Sequence, residues 1–320
     1  MLRSTSRSST NPDAPEARPA AGARGVAVSV DVEEWYHSCW VPEYVDPARR
    51  GPQPEELDRL LPELVERFGR LGIRATFFVL GEVARRLPGR VRELVAAGHE
   101  VACHGDLHLR ANDRSPAAFG ADVTRARDLL EAVTGQQVVG FRAPEWSLRN
   151  LDNPRLRAVA ELGFAYDSSL MPAIGAGAAS NPRAPVELAW RDGLGLVELP
   201  PLVWGGWLSL PAGGWCGRCA PPAWLRRAVV SAQMALLVVH PWELVDRPVP
   251  GFYTGFARFF HDAGRRGWGE RFERVVAEAP TRTLAAIAES ARRPASGAPA
   301  TEPAALGGAA EWAAPEAPAG

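Results

Sequence analysis

Two histidines, His104 and His108, stand four residues apart at the end of GHEVACHGDLH, residues 98–108. Val101 and Cys103 alternate with polar neighbours as in a short strand, and Gly105 lets the backbone turn so that both imidazoles converge on one point. Neutral imidazole is the commonest protein ligand for a divalent transition metal. A His pair taken alone is more often a pair of surface or hydrogen-bonding residues. Here, however, three of the six His in the chain (His99, His104 and His108) share one segment. Two ligands do not complete a site, so a carboxylate must come from elsewhere. Asp31 and Glu33, at the end of the run VAVSVDVEE, are two residues apart and face the same way on a strand. One could bind metal beside the histidines while the other stays free as a base, the composition of a hydrolytic zinc site. Glu34 reads as a solvated surface charge, and His37 as a weaker substitute ligand.

Further polar residues interrupt apolar runs in the same manner. Arg142, in RAP, can hold a carboxylate through two hydrogen bonds, with an unrelated salt bridge as the competing reading. Asp167 closes FAYD. His240 ends ALLVVH; a lone His there is commonly a satisfied structural residue, but at the mouth of a barrel its better role is general acid. Trp204, Trp207 and Trp215 lie in LPPLVWGGWLSLPAGGWCGRC, a stretch too irregular for a helix. It could present aromatic faces to sugar rings or simply pack against the domain.

The elements that must position these groups alternate between strand and helix. Strands are predicted at Val26–Val32, Ala75–Leu80, the run before His104, Val138–Arg142, Phe164–Asp167, Leu196–Leu199 and Ala235–His240. Between and after them fall helical patterns. Pro54–Leu71 carries Leu57, Leu60, Leu61, Leu64, Phe68 and Leu71 at helical spacing, with a kink expected at Pro62. Ser115-Pro116 and Asn153-Pro154 open two more helices, closed by Gly135 and Gly163. Others are predicted near 91–97, 223–233, 252–263, 270–277 and 284–291. Such repetition over about 265 residues points to one parallel α/β domain, most simply a barrel, whose strand C-termini form one rim. Asp31, Glu33, His104, Arg142, Asp167 and His240 would all sit on it.

The totals agree with a folded domain. At 320 residues, 46% hydrophobic and 23% charged, the chain has ample core, and a net charge of −1 implies neither nucleic acid nor an anionic membrane as partner. Cys39, Cys103, Cys216 and Cys219 are too scattered for a disulfide framework, and Cys216-x-x-Cys219 lacks a second pair to complete a zinc site. No apolar run reaches the length of a membrane span, and the first residues carry no secretory-type apolar stretch, so a cytoplasmic location is expected. Residues 1–24 and 293–320, rich in Ala, Pro, Gly and Ser, read as disordered tails around a domain at 25–292.

SVDVEEW, HGDLH, RAP, YDSS and VVHPWE, in that order, resemble the five motifs of carbohydrate esterase family 4, the polysaccharide deacetylases with a nodulation-type deacetylase homology domain. The resemblance spans about residues 25–291, and its wording is most like the subgroup associated with exosortase and exopolysaccharide clusters. It implies a distorted (β/α) barrel of seven strands and metal-dependent removal of acetyl groups from an N-acetylated polysaccharide or its precursor, the metal usually zinc. By the same resemblance Asp31 is the general base, His104 and His108 are metal ligands, Arg142 orients Asp31, His240 is the general acid and Asp167 orients His240. Val32 stands where the common first motif has its metal-binding Asp, which passes that role to Glu33 as in relatives with Asp-x-Glu. Two rivals differ in what they would lack: a metal-free, allantoinase-type cyclic-amide hydrolase would lack the His pair, and a non-catalytic sugar-binding module would lack Asp31 or His240.

Overall fold

The computed structural model describes residues 14–38, 55–173, 175–205, 209–245, 255–277 and 279–292. The central sheet begins with β1 (Glu16–Pro19), β2 (Gly25–Val32), β3 (Ala75–Val79) and β4 (Glu100–Cys103). It continues with β5 (Gly140–Phe141), β6 (Tyr166–Asp167), β7 (Val186–Ala189), β8 (Gly195–Glu198) and β11 (Met234–Val239). These nine strands run in the order β1-β7-β8-β6-β5-β4-β3-β2-β11, and a hairpin of β9 (Val203–Trp204) and β10 (Leu210–Pro211) stands apart. Every pairing from β11 to β8 is parallel, whereas β7 and β1 are antiparallel. The parallel part therefore comprises the seven strands predicted from the sequence. Among the described residues no ladder joins β8 to β11; a single bond from the Leu202 amide to the Leu236 carbonyl, 2.9 Å, bridges the two.

Alternation along the strands produces two apolar layers. Val26, Val28, Val30 and Val32 of β2 pack with Phe77, Val79, Val101, Cys103 and Phe141 against the surrounding helices. The intervening positions, Ala27, Phe78, Ala102, Leu236 and Val238, fill the opposite face with Tyr166 and Val197. Residue parity thus decides whether a side chain looks toward the helices or toward the interior of the curved sheet. Helix α1 (Leu57–Arg70) runs through Pro62 as one element and buries Leu57, Leu60, Leu61, Leu64 and Phe68. Two short helices, α2 (Gly81–Arg86) and α3 (Pro88–Ala96), precede β4. Helix α4 (Pro116–Thr134) starts where Ser115 Oγ accepts the Ala118 amide and ends at Gly135, with φ 67°; α5 (Pro154–Glu161) starts on the Asn153 side chain. After the hairpin come α6 (Gly214–Cys219), α7 (Pro222–Ser231), α8 (Gly255–Asp262), α9 (Trp268–Val276) and α10 (Leu284–Arg292).

Three expectations are corrected here. Part of the supposed disordered leader 1–24 is a strand: Glu16–Pro19 pairs with β7, and Ala20 and Ala23 are buried. The Trp-rich stretch contains a short helix, α6, which its glycines had disguised. β7 and the β9–β10 hairpin were not foreseen: unlike the equally short β5 and β6, which are fully buried, they are mostly only partly buried and leave no clear apolar run in the sequence. The tail 293–320 and residues 1–13 lie outside the described residues.

Candidate active site

The predicted rim residues gather at the C-terminal ends of β2, β4, β5 and β11. Asp31 shares β2 parity with Ala27 and so faces the sheet interior; the chain then turns tightly, with the Glu33 amide bonded to the Asp31 carbonyl at 3.1 Å. On the β4 side, Gly105 (φ 83°) and His108 (φ 55°) adopt left-handed backbone, which folds the HGDLH segment back over the strand end. The Glu33, His104 and His108 ligand atoms consequently lie within 4.8 Å of one another, all buried. Glu33 Oε2 is 2.5 Å from His108 Nε2 and 3.7 Å from His104 Nε2, while Glu33 Oε1 is 3.2 Å from His240 Nε2.

This cluster suits a divalent cation. His104 Nδ1 is 2.8 Å from the Arg142 carbonyl, an acceptor only, so Nδ1 carries the proton and Nε2 is left with a lone pair aimed into the cluster. Burial alone would raise the Glu33 carboxyl, but His108, His104 and His240 outweigh it and hold the group well below the usual carboxylate range. It is therefore ionised, the form that ligates. Burial opposes charge on His108, yet the adjacent Glu33 carboxylate raises its pKa above the ordinary value.

Asp31 is in a different environment. Its Oδ1 accepts from Arg142 Nη1 at 2.6 Å, and the guanidinium is fully buried. Arg142 also bonds Ser29 Oγ (2.8 Å), the Ser168 carbonyl (3.0 Å) and Ser168 Oγ (2.9 Å), with its carbon 4.0 Å above the Phe78 ring and 4.8 Å from that of Trp146. Two carboxylates two residues apart thus have separate tasks open to them. Glu33 is surrounded by imidazoles, and Asp31 is fixed by an arginine.

Asp167 does not reach His240. In the ladder it pairs with Phe141 and Glu198, and Phe141 belongs to the layer facing the helices, whereas His240 shares the inward parity of Leu236 and Val238. Asp167 instead accepts from the Ser169 hydroxyl (2.7 Å) and amide (3.0 Å), and Ser169 Oγ holds the Ala143 amide at 2.8 Å. It buttresses the RAP loop from behind. Glu198 beside it is also buried; desolvation and the Asp167 charge push its carboxyl well above the ordinary range.

The group that holds His240 is Glu243, the last residue of VVHPWE, to which the sequence reading gave no role. Pro241–Leu244 form a 3-10 turn that brings Glu243 Oε2 to 2.9 Å from the His240 amide and 3.3 Å from His240 Nδ1. Arg218 of α6 bonds the other Glu243 oxygen. Burial and the neighbouring Arg265 push the Arg218 guanidinium down to about 10. Trp242 stacks between His240 (5.1 Å, 15°) and His261 (4.4 Å, 22°). The His-x-x-Glu spacing at the start of a turn was a readable signal, since a residue at N3 reaches back to the cap.

The remaining candidates divide. Trp215 lines a cavity of about 310 Å³ together with Asp31, Glu33, His104, His108 and His240, and packs on Phe260 at 4.8 Å. Trp204 is not among the residues lining this cavity; it packs on Trp224 instead, and Trp207 lies outside the described residues. Glu34 is buried rather than solvated, accepting the Glu56 amide at 2.9 Å and pairing with Arg86 at 2.6 Å, and thereby ties the turn after β2 to the start of α1. His37 is buried beside Glu82 and lowered to about 4 chiefly by desolvation, outside the three-residue cluster. Cys103 is buried, its thiol pushed up to about 12 by desolvation, whereas Cys216 borders the cavity; Cys103, Cys216 and Cys219 are all free thiols.

Residues 51–166 match the family model for polysaccharide deacetylases. Over 154 residues the chain is 30% identical to a peptidoglycan deacetylase of Helicobacter pylori, covering 46% of this chain and 49% of the relative. It is 34% identical over 104 residues to a chitooligosaccharide deacetylase of Sinorhizobium fredii, 32% of this chain and 42% of that one. The chain thus spans about half, or less, of the length of these curated relatives. A solved structure from Mycobacterium smegmatis, assigned to the polysaccharide deacetylases, superposes with a TM-score of 0.56 at 26% identity, covering 88% of this chain and 94% of that one. Among the described residues no helix is long and apolar enough to cross a membrane. The family model covers HGDLH and RAP, and the structural match extends over most of the fold, so the chain is similar to polysaccharide deacetylases in both sequence and architecture.

Proposed function

We propose that the protein hydrolyses the acetamide of N-acetylated sugars in a polysaccharide or its precursor, with an exopolysaccharide as the substrate class and zinc as the metal. The observation that carries this reading is the segregation of two neighbouring carboxylates, Glu33 among imidazoles and Asp31 on Arg142. Glu33, His104 and His108 would hold the ion, which when bound supplies a Lewis acid that polarises the acetyl carbonyl and acidifies water. Asp31 takes the proton of the attacking water; Arg142 occupies Oδ1 and leaves the other oxygen for it. The water oxygen bonds to the carbonyl carbon, and the carbon–nitrogen bond then breaks. His240 Nε2 delivers a proton to the departing nitrogen, while Glu243 holds Nδ1 and stabilises the charged ring. Acetate and a free amine leave. Trp215, at the cavity wall, offers an indole against which a sugar ring can stack.

Metal analysis of the purified protein beside a His104→Ala/His108→Ala variant, followed by acetate release from N-acetylglucosamine oligomers, tests the proposal. About one ion per chain is expected, lost together with acetate release in the variant. A wild-type protein that binds no divalent metal even after resupply overturns it in favour of a metal-free hydrolase or a binding module.

A further inference from the structure

A second concavity is bordered by β9 of the hairpin. Helix α7 buries Leu225 and Val229 in the core, while Trp224, Arg227, Ala228 and Ser231, at i, i+3, i+4 and i+7, share another face. That face and Trp204 of β9 border an open groove of about 760 Å³. Ala228 and Ala232 add only small side chains to its lining and leave the space open. The two indoles meet edge to face at 5.9 Å and 67°, and Trp224 remains 61% exposed. Two guanidinium groups line the groove, Arg227 and Arg183, the latter also donating to Ser209 Oγ, and among the described residues no carboxylate does.

We infer that this groove binds a carboxylated segment of a polysaccharide, its sugar rings stacked on Trp224 and its carboxylates met by Arg227 and Arg183. Exposed indole faces suit the apolar faces of sugar rings, and guanidinium groups in a groove lined by no carboxylate select an anion, best of all a planar carboxylate. The hairpin supplies continuity with the catalytic cavity. Pro211, which pairs with Val203 and accepts the Trp204 indole N–H at 3.2 Å, also lines that cavity. One polymer crossing the hairpin reaches both places, so the inference rests on the reading of the cavity as a polysaccharide site.

Calorimetric titration of the full chain with an oligogalacturonate, which carries carboxylates but no acetamide, tests the groove separately from deacetylation. The wild type should bind it, and Trp224→Ala or Arg227→Gln should each weaken binding by about tenfold. Trp224→Phe, which keeps a ring face, should retain most of the affinity. A neutral chitooligosaccharide of equal length should bind equally to wild type and Arg227→Gln. The inference is overturned by no oligogalacturonate binding to wild type, or by equal binding to both disruptive variants. Complete competition by sulfate or the monomeric uronate at equal concentration, which marks a simple anion site, overturns it too. So does a dimer in sedimentation that Trp224→Ala dissociates, since the groove would then be an interface between copies.

Discussion

The two sides of the cavity are held in place by different means. Asp31, His104 and Arg142 hang from β2, β4 and β5, parallel strands joined through β3, whose register, Asp31 opposite Phe78, Phe78 opposite Ala102 and Cys103 opposite Phe141, sets their spacing through backbone hydrogen bonds. On the other side, His240 takes only its starting point from β11. Its ring is aimed by Glu243, itself gripped by Arg218 of α6, and it stacks on Trp242, which stacks on His261. A ladder spreads positional error over many bonds, whereas a chain of charged side chains concentrates it in a few. Substitutions on the first side should therefore act through chemistry alone, and those on the second through orientation.

The largest effect tests the first side. Asp31→Asn keeps an oxygen for Arg142 but cannot take a proton, so kcat should fall by on the order of 10²–10⁴ with metal content unchanged. Loss of metal in that variant, measured by elemental analysis, would reverse the roles given to Asp31 and Glu33. Next comes the support of His240. Glu243→Gln leaves Arg218 without its counter-charge and should lower kcat by about ten- to a hundredfold with KM and metal content little changed. Glu243→Asp should recover part of the loss if orientation is the issue. A wild-type rate in Glu243→Gln would show that β11 and Trp242 suffice to aim the ring. A smaller effect is expected at the cavity wall: Trp215→Ala should raise KM several-fold for oligomers while kcat stays within about twofold, in line with the modest worth of one aromatic stacking contact. An equal loss in kcat would place Trp215 in the positioning of the reacting sugar.

The same contrast explains what could be read from the residues. Every strand of the parallel sheet announced itself by an apolar run, with bounds off by up to two residues at β5 and β6, and the candidate residues broke those runs at their ends, so the register side was largely legible. Strand parity alone could not separate Asp31 from Glu33, because residues two apart face the same way; only the motif resemblance gave them different roles. The other side required knowing that α6, hidden in a Gly-rich stretch, carries Arg218 to a residue 25 positions away in sequence. No local period reports such a pairing. Asp167 was misassigned for a related reason. Its place at a strand end was right, but residues at strand ends look to opposite layers according to parity, and its ladder partners Phe141 and Glu198 put it on the helix side.

That misplaced carboxylate leads to the smallest effect on turnover and a distinct one on stability. Asp167 and Glu198 are paired across β6 and β8, both buried, and desolvation raises both carboxyls. A raised carboxyl binds a proton more tightly in the folded chain than in the unfolded one. The fold is thus favoured below the ordinary carboxylate pKa and loses that advantage as pH rises from there toward the raised value, by about 1.4 kcal/mol for every tenfold difference in proton affinity between the two states. Glu198→Gln imitates the protonated form at every pH: its carbonyl can still accept the Leu170 amide, as Glu198 Oε1 does at 3.1 Å, and its amide can donate to Asp167. Denaturant unfolding at pH 4.5 and 7.5 should therefore show a smaller fall in stability for the variant than for the wild type, with kcat unchanged because the pair faces the helices. A parallel loss of activity would mean that the RAP loop, held through Ser169 and Ala143, transmits the state of this pair to Arg142. The buttress would then belong to the catalytic side of the sheet after all.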